Sequence, residues 1–243
     1  MLGGLFFLLG LMSGSFLNVV IYRLIKRDSL LFPGSHCMYC QSKLRFFEII
    51  PVLSYVFLKG QCRYCGHKLP LVYPIVELMS GIAFWLLYMQ RGMTWDLLPG
   101  YIFTAFLITV AFMDGLWGII PDRLNYPTLV IGLLLSLWMH NIFSALIGMI
   151  ALGGLFLLIF IFSQGGLGGG DVKLALVIGV FCGWPGALGA FFIASVLAAV
   201  YAVVLLVSKK AGLKSAIKFG PFLALGSWAA WVYADIISLG FII

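Results

Sequence analysis

The feature that most limits this chain is the recurrence of long apolar runs along almost its whole length. They fall at about 3–22, 71–90, 97–113, 125–139, 144–162, 172–182, 187–207 and 219–239. A helix of about 20 apolar residues crosses the hydrocarbon of a bilayer. With no water there, every backbone group must be satisfied inside its own element. Of the 243 residues, 63% are hydrophobic and 9% charged, where a soluble domain carries about 25% charged residues. The composition excludes a soluble enzyme and predicts an all-α polytopic membrane protein of about eight transmembrane helices. The sixth run is short, and Gly183-Trp184-Pro185-Gly186 predicts a turn between it and the seventh.

Charge placement sets the expected orientation. The first ten residues hold no Lys or Arg, so the basic start of a cleavable signal is missing. The first run then reads as a retained span with its N-terminus outside. Alternating crossings put fourteen of the fifteen Lys and Arg residues on one side, Arg91 being the exception. Cations gather in cytoplasmic loops, so that side is inside. The net charge of +7 belongs to those loops beside the bilayer and does not call for nucleic acid. Three regions are expected: a first transmembrane helix at 1–22, a polar cytoplasmic loop at 23–70 and a transmembrane core at 71–243.

The polar loop holds Cys37-Met38-Tyr39-Cys40 and Cys62-Arg63-Tyr64-Cys65, with twenty-one residues between Cys40 and Cys62. Two CxxC knuckles supply four thiolates to one tetrahedral ion, a closed zinc site. Paired disulfides are the other reading, and a cytoplasmic location disfavours them. His36 and His67 flank the knuckles as bystanders. Cys182 reads as a small apolar residue. A loop of about forty-five mostly polar residues makes a poor core, and a metal supplies the missing stability.

Two acids stand at span ends on the cytoplasmic side. Asp114 closes the third run and Asp171 opens the sixth, after Gly165-Gly166-Leu167-Gly168-Gly169-Gly170. A carboxylate beside so much hydrocarbon costs about 2.5–3.5 kcal/mol on insertion scales and is a functional candidate by default. Two carboxylates brought together cannot both ionise readily and share a proton. One can then activate water while the other delivers a proton. The glycines read either as a close-packing mount for Asp171 or as a plain connector with Asp171 capping the next helix. Asp122, next to Arg123, reads as a solvated cap. Glu77 reads as a buried structural acid or a site member. Lys173 marks the membrane border, and Asp28, Asp96 and Asp235 read as interfacial charges. Lys218-Phe219-Gly220-Pro221-Phe222 opens the last run as a Pro-started helix or as a loosened end that binds an extended peptide.

Together these motifs resemble the type IV prepilin peptidases, intramembrane aspartyl proteases of the GxGD class. The resemblance is carried by Gly14-Ser15-Phe16-Leu17-Asn18-Val19-Val20-Ile21-Tyr22-Arg23, the two CxxC pairs, Ile50-Pro51-Val52-Leu53-Ser54-Tyr55 and Tyr73-Pro74-Ile75-Val76-Glu77-Leu78. It continues through Asp114 with Ile120-Pro121-Asp122, Gly168-Gly169-Gly170-Asp171-Val172-Lys173-Leu174 and Phe219-Gly220-Pro221-Phe222-Leu223-Ala224-Leu225-Gly226. It implies a plasma-membrane enzyme whose catalytic pair is Asp114 and Asp171, with Gly168, Gly170, Lys173 and Pro221 supporting the motifs. It implies cleavage of prepilin or pseudopilin leaders on the cytoplasmic side. It also implies methylation of the new amino terminus with S-adenosylmethionine, attributed to the region of the loop. The short chain and the Gly-Gly-Gly-Asp form are similar to competence-type enzymes of Gram-positive bacteria. Many members are more acidic where this chain reads Arg45-Phe46-Phe47-Glu48-Ile49-Ile50-Pro51. No glycine-rich nucleotide fingerprint after a strand supports methyl transfer independently. Two other readings use the same residues: a proton- or cation-coupled transporter built on the two aspartates, and an assembly scaffold that docks through the zinc loop.

Overall fold

A computed structural model describes residues 2–30, 32, 34–163, 166–209 and 217–234. Gly165, Asp235 and the outer part of the last apolar run lie outside the described residues. The helices are α1 (Leu2–Lys26), α2 (Leu53–Phe57), α3 (Val72–Arg91), α4 (Leu97–Trp117), α5 (Asp122–Trp138), α6 (Ile142–Phe162), α7 (Gly169–Val207) and α8 (Gly220–Val232), with a 3-10 turn at Phe46–Glu48. Among the described residues there are no strands beyond two isolated bridges. Five helices, α1, α3, α4, α6 and α7, are long and apolar enough to cross a membrane. The chain divides into two compact units, Met1–Thr109 and Val110–Ile243.

In the first unit, α1 packs on α3 through small residues. A side-chain carbon at Gly10 would come within 2.5 Å of the Ser80 carbonyl, and one at Gly14 within 2.6 Å of Glu77 Cα. Such small-residue crossings replace the hydrophobic drive that lipid removes. Arg27 stops α1 in the left-handed region at φ 60°, and the Asp28 N–H closes back on the Arg23 carbonyl at 2.9 Å.

In the second unit, α7 is the central element, packed against α5, α6 and α8. Its 39 residues would span about 58 Å as one rod, nearly twice the hydrocarbon thickness. It is instead broken at Gly183 (φ 60°) and Trp184 (ψ 131°), at the turn the sequence predicts. Pro185 has no N–H and disfavours helical geometry in the residue before it. Ser144 of α6 satisfies the freed groups: its hydroxyl accepts the Trp184 N–H at 2.9 Å and donates to the Trp184 carbonyl at 3.1 Å. The fourth predicted run begins earlier than expected, because Asp122 is the first residue of α5 rather than a loop residue.

Candidate active site and metal centre

In the second unit, Asp114 sits in the last turns of α4 and Asp171 in the first turn of α7. Asp114 is 7% exposed. The Gly220 N–H donates to Asp114 Oδ2 at 3.0 Å. A side-chain carbon at residue 220 would lie 2.6 Å from that oxygen, so only glycine lets the start of α8 approach so closely. Lys218 donates to the carbonyls of Gly115 and Leu116 at 3.0 and 3.3 Å and places a cation beside Asp114. Pro221 occupies the first turn of α8. In the described part of the glycine stretch, a side-chain carbon at Gly168 would lie 3.2 Å from Asp171 Oδ2 and one at Gly170 3.2 Å from Ile120 Cβ, while Gly169 has open space beside it. Asp171 Oδ1 is buried without a hydrogen-bond partner.

Beside the pair, Lys173 Nζ meets both oxygens of Asp122 at 2.6 and 2.7 Å and lies 5.5 Å from the centre of the Tyr126 ring. This bidentate contact ties the start of α5 to the start of α7. It joins a residue read as a solvated cap to one read as a border charge.

In the first unit, the four cysteine sulfurs lie within 4.8 Å of one another. Cys37 and Cys65 are 4.0 Å apart, and Cys40 and Cys62 are 3.9 Å apart. The ligand edge of a tetrahedral zinc thiolate centre is about 3.8 Å, given Zn–S of about 2.3 Å, so the thiols fit zinc. The two knuckles repeat one another. Gln41 N–H reaches the Cys37 carbonyl and Gly66 N–H the Cys62 carbonyl, both at 2.9 Å, and Gln41 and Gly66 both turn at positive φ. The hydroxyl and backbone of Ser42 lower the Cys40 thiol, which favours the thiolate that a metal needs. At Cys65 a hydrogen bond from the His67 backbone is outweighed by desolvation and the neighbouring thiols, which raise the thiol. His36 bonds the Gly34 carbonyl and His67 stacks on Tyr39, so neither joins the cluster.

The first unit also holds an open pocket of about 380 Å³ lined by α1, α3 and the loop. Glu77 lines it, is 8% exposed, and accepts the Val52 N–H at 2.7 Å. Val52 holds φ at +62°, an outlier for a β-branched residue. Cys182 is half-buried against the Ser227 carbonyl.

The comparisons agree with this division. A model of the bacterial peptidase A24 N-terminal domain matches residues 8–91, and one of the type IV leader peptidase family matches residues 101–203. A prepilin leader peptidase/N-methyltransferase of Bacillus subtilis (strain 168) is 34% identical, over 94% of this chain and 93% of its own. The chain belongs to the type IV leader peptidase family. Relatives of the same printed name in Neisseria gonorrhoeae and Stutzerimonas stutzeri are 33% and 30% identical, over 93% and 96% of this chain and 89% and 91% of their own. No solved structure matches significantly. The family model covers both aspartates, and the N-terminal model covers the four cysteines and Glu77.

Proposed function

We infer that the chain is a membrane-embedded prepilin peptidase that removes the leader of type IV prepilins or pseudopilins and methylates the new amino terminus. The reading is supported by Asp114, buried at the end of α4 and held by the Gly220 N–H at 3.0 Å, and by Asp171 at the start of α7, whose Oδ1 is buried without a hydrogen-bond partner. Family membership supplies the substrate class. The fourteen cations on one side support an outside N-terminus, with the loop and the aspartates facing the cytoplasm.

In this reading Asp114 is the base. Its Oδ2 already accepts a backbone hydrogen bond, and Lys218 faces it, which suits an anion. Asp171 holds the shared proton, consistent with a buried oxygen that has no donor. Asp114 takes a proton from water as the oxygen attacks the scissile carbonyl carbon. Asp171 gives its proton to the carbonyl oxygen. The tetrahedral species then collapses, the C–N bond breaks, and the departing nitrogen takes a proton from the dyad. Gly169, with open space beside it, leaves room for an unwound substrate strand near Asp171. Zinc, in a site closed by four thiols, orders the loop. S-adenosylmethionine, when bound, supplies the methyl group.

The test is the purified chain in nanodiscs with a prepilin, read by mass spectrometry for leader loss and a 14-Da gain (one methyl replacing hydrogen). Asp114→Asn and Asp171→Asn each abolish cleavage while the protein stays inserted. Full cleavage by either variant would sink the dyad.

A further inference from the structure

In the cysteine loop, α2 turns its polar side chains in and its apolar side chains out. The Tyr55 hydroxyl donates to the Leu69 carbonyl at 3.0 Å, and Ser54 lines the pocket. Leu53, Val56 and Phe57 are exposed, and their i, i+3, i+4 spacing puts them on one helix face. The Phe46–Glu48 turn packs on α2 and adds two more rings. Phe46, Phe47 and Phe57 are 78%, 75% and 80% exposed. A surface that faces water rarely gathers so many large apolar groups.

The position of this face says what covers it. The Val52 N–H, at the start of α2, donates to Glu77 at 2.7 Å. Glu77 lies five residues past Val72, the first residue of α3, which is about 8 Å along the helix axis. So α2 begins beside the body of α3 and not beyond its end. Ile75 and Leu78 are exposed at that level, on a helix long and apolar enough to cross a membrane. The apolar face of the loop therefore stands at the depth of side chains that α3 turns to lipid.

Charge favours the same partner. Lys43 and Arg45 come just before Phe46, and Lys59 just after Leu58; all three are exposed. Residues 29–70 carry five Lys or Arg against one acid, Glu48, whose carboxylate accepts the Arg45 N–H and the Tyr64 hydroxyl. Apolar side chains flanked by cations mark a segment that lies in a membrane interface, its apolar face among acyl chains and its cations at anionic headgroups. We propose that the segment from Phe46 to Phe57 is a membrane foot. It dips into the anionic leaflet at which α1 ends and α3 begins, with its three phenylalanines, Leu53 and Val56 among the acyl chains. Lys43, Arg45 and Lys59 meet the lipid phosphates. The inference goes beyond the function proposed above and rests on neither the aspartate dyad nor methyl transfer.

The test uses the full chain, zinc-loaded, in nanodiscs that contain a phospholipid with a diazirine in its acyl chain. Phosphatidylglycerol and phosphatidylcholine are compared as the photoreactive lipid, and mass spectrometry locates the label. Phosphatidylglycerol is expected to mark residues 46–57 as strongly as Ile75 and Leu78, and about three-fold or more above phosphatidylcholine. Replacing all three cations, by Lys43→Gln, Arg45→Gln and Lys59→Gln together, brings that ratio close to one while α3 is marked as before. Phe57→Asp lowers the mark on residues 46–57 about five-fold or more. Retained zinc controls for folding of both variants; if either loses zinc, the labelling of the wild type decides. Label on α3 with none on residues 46–57 overturns the proposal. Equal marking by the two lipids, or marking unchanged in a variant that keeps its zinc, overturns it as well. So does label that reaches these residues from a diazirine-bearing prepilin and not from lipid, which gives the face to a protein.

Discussion

Gly220 donates its backbone N–H to Asp114 Oδ2 at 3.0 Å, joining residues 106 positions apart. The contact fixes one carboxylate of the dyad by main chain alone, with no side chain to rotate away. A methyl group at residue 220 would stand 2.6 Å from the same oxygen. Gly220→Ala is therefore expected to lower leader cleavage about 100-fold or more, the scale set by an ångström of misplacement, with insertion unchanged. A cleavage assay on membranes with matched protein levels checks it; near-normal turnover would remove Gly220 from the positioning of Asp114.

The Asp122–Lys173 pair is 52% and 34% exposed, so it contributes about 0–1 kcal/mol after solvent screening. Asp122→Asn or Lys173→Met should slow cleavage by only about two- to five-fold. The double reversal, Asp122→Lys with Lys173→Asp, should recover most of the loss. A drop of several hundred-fold without recovery would mean that Lys173 acts on the substrate directly.

Chelation, or Cys40→Ser, should open the loop between residues 35 and 70 to limited proteolysis and release zinc measured by mass spectrometry. The expectation follows from a loop whose exposed Phe46, Phe47 and Phe57 leave it little core of its own. An unchanged digestion pattern after complete metal loss would show that the paired knuckle hydrogen bonds suffice.

Ser144→Ala removes both hydrogen bonds to the Trp184 backbone. Leaving those groups unmatched at a helix break should cost about 1–3 kcal/mol, read as a lower midpoint of denaturation. Ser144→Thr keeps the hydroxyl and should recover much of it. Equal stability of the alanine variant would mean that another donor or water replaces the hydroxyl.

What could be read from the sequence was local or arithmetic. Two CxxC pairs predict four converging thiols because each knuckle is a short turn. Alternating crossings predict Asp114 and Asp171 at one border because parity needs no tertiary detail. The break at Gly183 and Trp184 follows from the proline after it. Eight runs were legible, yet among the described residues five helices meet a span's length and apolarity. α5 is 17 residues long and carries Asn125, Thr128 and Ser136 as buried residues; α7 counts once despite its break; and α8 is 13 residues long. The contacts that define the sites were not legible. Gly220 with Asp114, Lys173 with Asp122 and Glu77 with Val52 join residues 106, 51 and 25 apart, where helical periodicity says nothing.

The crossing of α1 and α3 at Gly10 and Gly14 has a mechanical consequence. Main chain touches main chain there, so the stem that carries the cysteine loop has a fixed gauge. The loop is a tool held in a clamp, and the jaws are set by packing within lipid. Widening the jaws by one side chain would re-aim the tool without altering any residue of it.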